Sequence, residues 1–229
     1  RIAPTRVADV RPRVSGIVVQ RLFEQGSDVK AGDPLYQIDA KPFEVELQAS
    51  QAALERAKAT LDLAQQQVNR SSAMVKAQAI ATAQHEIAVA TVAQNKAEVA
   101  AREAEVARAR LNLEYATIRA PIGGRIGAAR ATEGALVVQN DTANLATIQQ
   151  LDTIYADFTQ SVTELNQLRR AFESGDLERI AADAAKVRLV LDDNTLYSLD
   201  GKLLFSDAKV DAQTGQVTLR GEFPNPKRE

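Results

Sequence analysis

Apolar positions recur every seven residues at the start of the chain's middle third. Leu47, Leu54, Leu61, Val68 and Val75 form one row. Phe43, Ser50, Ala57, Ala64 and Ser71 fill the companion positions, so the spacings alternate four and three. That pattern predicts a coiled-coil seam on one face of a long helix. Further on, Ala90, Ala97, Ala104 and Leu111 repeat with the same period, with Ala93, Ala100 and Ala107 as companions. Small residues let two backbones approach closely, so this row is the expected facing seam. A second row, Val92, Val99, Val106 and Leu113, lies on another side of the same helix. It either faces a neighbouring copy or widens the buried face.

Glycine and proline delimit this region. Gly32 and Gly123 bracket a stretch with no glycine, and Pro42 and Pro121 bracket one with no other proline. These two residues are the main breakers of regular structure. Between Glu44 and Glu114 there are 20 alanines and no aromatic residue, and alanine is the best helix former. The stretch 42–115 is therefore predicted to be helical.

Its flanks decide between one helix and two. Gly16, Gly26 and Val29 match Gly124, Gly134 and Val137 at an offset of 108. Leu35 and Ile38 match Leu145 and Ile148 at an offset of 110. Each flank reads as short strands and turns, with Gly16, Gly26, Gly124 and Gly134 as the expected turn glycines. Neither flank is large enough to bury a core alone. Two similar halves make one β domain, 6–41 with 116–150, so the chain must leave that domain and return to it. The helical stretch folds into an antiparallel hairpin with its tip near 76–80.

The last third changes period. Ile154, Ala156 and Phe158 alternate with polar residues, as do Val187, Leu189 and Leu191, and Val217, Leu219 and Phe223. Period two predicts half-buried strands. Asp200–Gly201 and Gln213–Thr214–Gly215 carry turn signals. One short helix interrupts the strands: Ser161 and Glu164 form a capping box, and Leu165, Leu168 and Phe172 form its apolar face. Residues 1–5 and 151–229 thus predict a small β-barrel with one helix. The whole chain is α+β, elongated and multidomain: a β domain split by a long helical hairpin, then the barrel.

Composition narrows the function. A net charge of -2 offers no basic field for nucleic acid, and with 4% aromatic residues and no tryptophan there is little to stack bases or line a ligand pocket. The chain has no cysteine, which removes disulfides, thiol nucleophiles and thiolate metal sites. Its one histidine, His85, reads as an ordinary exposed helix residue, and nothing around it suggests a catalytic triad. No apolar run approaches the roughly 18 residues of a bilayer span, and no signal peptide is present. The chain opens at Arg1 without a methionine, which reads as a processed or trimmed chain. Gly123, Gly124 and Gly127 mimic a phosphate loop but open no helix, so they read as turn residues. Asp192–Asp193–Asn194 lacks EF-hand spacing and reads as a turn. No enzyme, metal or cofactor is indicated.

Several strings, in order, resemble one family. They are Val10-Arg-Pro-Arg-Val-Ser-Gly-Ile-Val18, Glu24-Gln-Gly-Ser-Asp-Val-Lys-Ala-Gly32, Leu35-Tyr-Gln-Ile-Asp39, Pro121-Ile-Gly-Gly-Arg-Ile-Gly127, Thr132-Glu-Gly-Ala-Leu-Val137 and Phe223-Pro-Asn-Pro226. Together they resemble the periplasmic adaptor (membrane fusion) proteins of RND-type tripartite efflux pumps, of the AcrA/MexA kind. The resemblance implies that the split domain is lipoyl-like (biotinyl-like). It implies that the barrel contacts an inner-membrane RND transporter and that the hairpin tip contacts a TolC-like outer-membrane channel. Such adaptors assemble with themselves, commonly as six. The family's membrane-proximal domain, and its upstream lipid-bearing cysteine or membrane helix, are expected to lie outside this chain.

The family's tip motif is an arginine, a leucine four residues on and a serine seven further. Here Arg70 matches, Met74 stands in the leucine position and keeps a flexible apolar contact, and Ala81 stands in the serine position. Thr82 follows and is expected to supply the hydroxyl or to cap the second helix. An adaptor of an ABC-type or type I secretion system has the same parts and is the main alternative. A lipoyl or biotinyl carrier is a second alternative, with Lys41 as the attachment point. Pro42 directly after Lys41, where a carrier would have a tight turn, weighs against it.

Overall fold

The computed structural model describes residues 1–139, 141–174, 179–181, 184–191, 194–210 and 216–228. Strand β1 (Ile2–Val10) leads into β2 (Gly16–Arg21), β3 (Asp28–Val29) and β4 (Pro34–Ile38). Helix α1 (Lys41–Lys76) and helix α2 (Thr82–Tyr115) follow. Then come β5 (Thr117–Arg119), β6 (Gly124–Ile126), β7 (Leu136–Val137) and the long β8 (Ala146–Ser161). Helix α3 (Val162–Ser174) precedes β9 (Arg179–Ala181), β10 (Ala184–Val187), β11 (Gly201–Val210) and β12 (Gln216–Pro224).

The two halves of the split domain interlock by exchanging strands. In the first pairing Val29 of β3 lies opposite Gly124 of β6, and in the second Val137 of β7 lies opposite Gly16 of β2. The turns repeat the exchange. Gly26 N donates to Ile126 O at 2.9 Å, and Gly134 N donates to Val18 O at 2.8 Å. Each pair maps onto the other by the offset read in the sequence. Neither half completes its sheet without the other, which is why the chain returns after the hairpin. Leu35, Ile38, Leu145 and Ile148 enter one shared core with Tyr36, whose hydroxyl donates to Leu145 O at 3.0 Å.

The four glycines expected in turns divide. Gly26 (φ 78°) and Gly134 (φ 84°) occupy turns in the left-handed region that favours glycine. Gly16 and Gly124 instead open strands. A Cβ on Gly124 would stand 2.4 Å from Gln149 O, so close approach to β8 fixes glycine there.

Strand β8 joins the two β units. It pairs with β1 over Ile2–Val10, with β6 at Arg125 and Ile126, and with β12 along Thr153–Ser161. A polar cluster around the buried Asn144 reinforces the joint. Asn144 Nδ2 donates to Asp9 Oδ1 at 2.5 Å and to Thr147 Oγ1 at 2.9 Å, while Arg130 Nη1 donates to Asn144 Oδ1. The hydrogen bond from Asn144, and then that from Arg11, hold the Asp9 carboxyl below its usual value. A second tie comes from Arg228, which pairs with Asp152 of β8 and with Asp28 of β3.

The C-terminal unit runs β8-β12-β11-β10-β9. Val217 and Leu219 point into a core with Leu165 of α3, while Phe223 joins Ile154 and Ala156 in a second cluster. The capping box is formed: Glu164 N donates to Ser161 Oγ at 3.2 Å, and Ser161 N donates to Glu164 Oε2 at 3.0 Å. Asp200–Gly201 is not a two-residue hairpin. Gly201 is already in β11, opposite Val187, and glycine is needed there because a Cβ would stand 2.5 Å from the Phe223 ring. The Gln213–Thr214–Gly215 turn, Asp192, Asp193 and the side chain of Phe172 lie outside the described residues.

The hairpin corrects one expectation. On α1, Leu47, Leu54, Leu61 and Val68 are partly buried, with Ala64 and Ser71 fully so. On α2 the facing row is Val92, Val99, Val106 and Leu113, with Ala88 and Ala109 as companions. Ala90, Ala97, Ala104 and Leu111, the expected seam, are exposed. The reason is the hydrophobic effect at about 0.8 kcal/mol per buried CH₂. Valine gains more than alanine from facing the leucines of α1, so the helix rotates its valines inward.

Candidate partner-docking site at the hairpin tip

Residues 77–81 connect two helices of 36 and 34 residues, each about 50 Å long at 1.5 Å per residue. The turn closes α1 with a Schellman motif. Ala79 N donates to Met74 O at 2.8 Å, and Gln78 N donates to Val75 O at 2.9 Å. Such a motif needs a left-handed residue, usually glycine, and here Gln78 takes it at φ 55°. The bonded backbone fixes where Met74 and the turn stand relative to α2.

The four expected tip residues gather at this end of the hairpin, and all are exposed. Arg70 and Met74 lie one turn apart on α1. The Arg70 Nη2 donates to Gln67 Oε1 at 2.9 Å, which lays the guanidinium along the side of the hairpin. Met74 is 45% exposed. Ala81 and Thr82 open α2 across the turn. Thr82 does not cap it: Ala81 is the N-cap, with extended backbone and no side-chain cap bond. Thr82 is the first helical residue, a position from which its hydroxyl does not reach the N2 and N3 amides.

One feature of the tip escaped the sequence. Ser71 Oγ lies 2.8 Å from His85 Nδ1, joining α1 to α2. Ser71 is 3% exposed and its hydroxyl also donates to Val68 O at 2.9 Å. His85 is thus half-buried in the seam rather than an ordinary exposed residue. The available signal was register: His85 stands seven residues before Val92, and Ser71 seven after Ala64.

Below the tip, a groove of about 370 Å³ runs between the helices, lined by Leu63, Ala64, Gln67, Arg70, Ala88 and Thr91. Lys41, the carrier attachment point considered above, is exposed as the first residue of α1, and its backbone amide donates to Asp39 Oδ1 at 3.1 Å. Among the described residues no three His, Asp or Glu side chains cluster to hold a metal, and no helix is long and apolar enough to cross a membrane.

A long helical hairpin inserted between strand-exchanged halves, followed by a helix-bearing β unit, defines the architecture of a membrane fusion protein. The family models agree: residues 6–149 match the RND MFP barrel-sandwich hybrid domain, and 153–229 match the RND MFP beta-barrel domain. The chain belongs to the RND membrane fusion protein (periplasmic adaptor) family. It is 46% identical over 224 residues to the multidrug resistance protein MexA of Pseudomonas aeruginosa, covering 98% of this chain and 55% of MexA. It is 45% identical over 226 residues to the antibiotic efflux pump periplasmic linker protein ArpA of Pseudomonas putida, covering 99% of this chain and 57% of ArpA. The chain therefore spans a little over half the length of these relatives. A crystal structure of a MacA-MexA chimeric protein carrying the Pseudomonas aeruginosa MexA α-hairpin matches with a TM-score of 0.62 and 25% identity, covering 98% of this chain and 73% of the chimera.

Proposed function

We propose that this chain is the working part of a periplasmic adaptor that joins an inner-membrane RND transporter to a TolC-like outer-membrane channel in a tripartite efflux pump. It performs no chemistry. The hairpin tip docks the channel, the barrel unit contacts the transporter, and several copies, in the manner of a hexamer, stand side by side so that their hairpins enclose a conduit. The adaptor is held at the inner membrane. The observation that carries this reading is family membership combined with a rigid projecting rod whose exposed end bears Arg70 and Met74. Arginine's planar five-donor fork suits the carbonyls and carboxylates of a channel end. Individual tip contacts need not be strong, because several copies engaging together supply avidity.

The test is complementation of a strain lacking the gene. Arg70→Asp is expected to abolish drug resistance while the protein stays folded and at normal level, since the side chain is exposed and its one bond is to a neighbouring glutamine. Full resistance with this variant overturns the docking role of Arg70.

A further inference from the structure

The two broad faces of the hairpin differ. One carries the groove beside Leu63, which continues toward the β domain as a narrower cleft of about 170 Å³ lined by Ala53, Arg56, Ala57 and Glu98. Arg56, Leu63 and Arg70 stand at intervals of seven on the α1 edge of this groove, and Leu63 is 62% exposed. The opposite face presents Glu86, Val89, Ala93, Lys96, Ala100 and Glu103 of α2, all exposed, with Lys96 level with Thr60 by the antiparallel count from Ser71 and His85. The hairpin ion pairs among the described residues are Lys58–Glu55, Arg102 with Glu98 and Glu105, and Arg108–Glu46. They leave Arg56 on one face, and Glu86, Lys96 and Glu103 on the other, without an ion-pair partner among the described residues.

We infer that the groove face of one hairpin receives the Glu86–Glu103 face of a second copy of this chain. The Ser71–His85 bond fixes the relative height of the two helices. Counting from it along the antiparallel pair puts Leu63 level with Ala93 and Arg70 level with Glu86. Arg56 falls level with Ala100, one turn from Glu103. In copies standing at equal height, the large Leu63 therefore meets the small Ala93, and cations meet carboxylates at both ends. The arginines are about 21 Å apart and the glutamates about 26 Å apart at 1.5 Å per residue, a difference that two long side chains span. The five donors of Arg70 leave room for both this lateral contact and one at the channel. Because the two faces differ, the contact is head-to-tail around the assembly, which generates a ring when the rotation closes.

This inference rests on the side-by-side arrangement proposed above. Leu63→Cys and Ala93→Cys, both at exposed positions in a stretch with no cysteine, are introduced separately into the full-length protein and the two chains are co-expressed with the pump. Oxidation is expected to give a covalent dimer from the mixture and none from either chain alone. Dimers from one chain alone mean that like faces meet, which overturns the face assignment but leaves the side-by-side reading standing. No dimer from the mixture overturns the inference. If cysteines walked around both helices then also fail to link, the side-by-side reading falls with it. As a second readout, Arg56→Glu and Glu103→Arg are each expected to lower the cross-linked yield several-fold, and together to restore it. Failure of the pair to restore it contradicts the charge contact.

Discussion

Ser71 and His85 are bonded across the hairpin at 2.8 Å, near its tip turn. This polar contact thus sets the height of α2 against α1, and with it the placement of Arg70 and Met74 beside Ala81 and Thr82.

Removing that link should loosen the tip alone. Ser71→Ala takes the hydrogen-bond partner from a half-buried ring nitrogen, with a cost of about 1 kcal/mol. Amide exchange should accelerate around 68–90 and stay unchanged near Leu47 and Val106. Uniform acceleration along both helices would show that the bond supports the whole coil instead.

The left-handed residue in the turn gives a sharper local test. Gln78→Gly should leave the hairpin as stable or more stable by up to about 1 kcal/mol, because glycine adopts that conformation without a Cβ penalty. Gln78→Val should destabilise it by about 1–2 kcal/mol. Thermal unfolding followed by circular dichroism ranks the three. Equal stability of all three would contradict the Schellman closure.

How much of this was legible in the residues follows from side-chain size and chemistry. The α1 seam could be read because leucines stand against polar neighbours. The α2 face was misread because alanine fits both exposed and buried helix positions, and only the partner's leucines decide which row turns inward. The tip turn could be placed only by where a heptad row stops, since no glycine marks Gln78. The return of the chain to one β domain was legible as paired glycines and valines, but the exchange of strands between its halves was not, because it depends on which edges pair in the folded sheets. The roles of Gly124 and Gly201 were not, because close approach to Gln149 and to Phe223 is a property of the folded sheet.

Gly124→Ala should destabilise the split domain. Its Cβ would stand 2.4 Å from Gln149 O, and overpacking of that kind costs about 1–3 kcal/mol. Gly26→Ala, with nothing within 4 Å of the added Cβ, should cost about 1 kcal/mol from backbone strain alone. Chemical denaturation of the two variants tests the order.

Acid should weaken the barrel unit through Asp157. Arg220 donates to it twice, at 2.7 and 2.9 Å, and these hydrogen bonds hold the Asp157 carboxyl below its usual 3.8. A lowered folded value means the stabilisation is present above that usual value and is lost as pH falls through the lowered one. Asp157→Asn should therefore be less stable than the parent at neutral pH, with the gap closing as pH falls below the usual carboxylate value and through the lowered one. A gap that persists unchanged at low pH would contradict the ion pair's contribution.

The central claim is that the hairpin tip meets an outer-membrane channel. A photo-cross-linking amino acid placed at exposed Ala79 in the turn, and separately at exposed Gln51 near the β domain, tests it in intact cells. Ala79 is expected to yield an adduct whose second component is an outer-membrane channel protein, and Gln51 is not. An adduct with that channel from Gln51 and none from Ala79 would contradict the account.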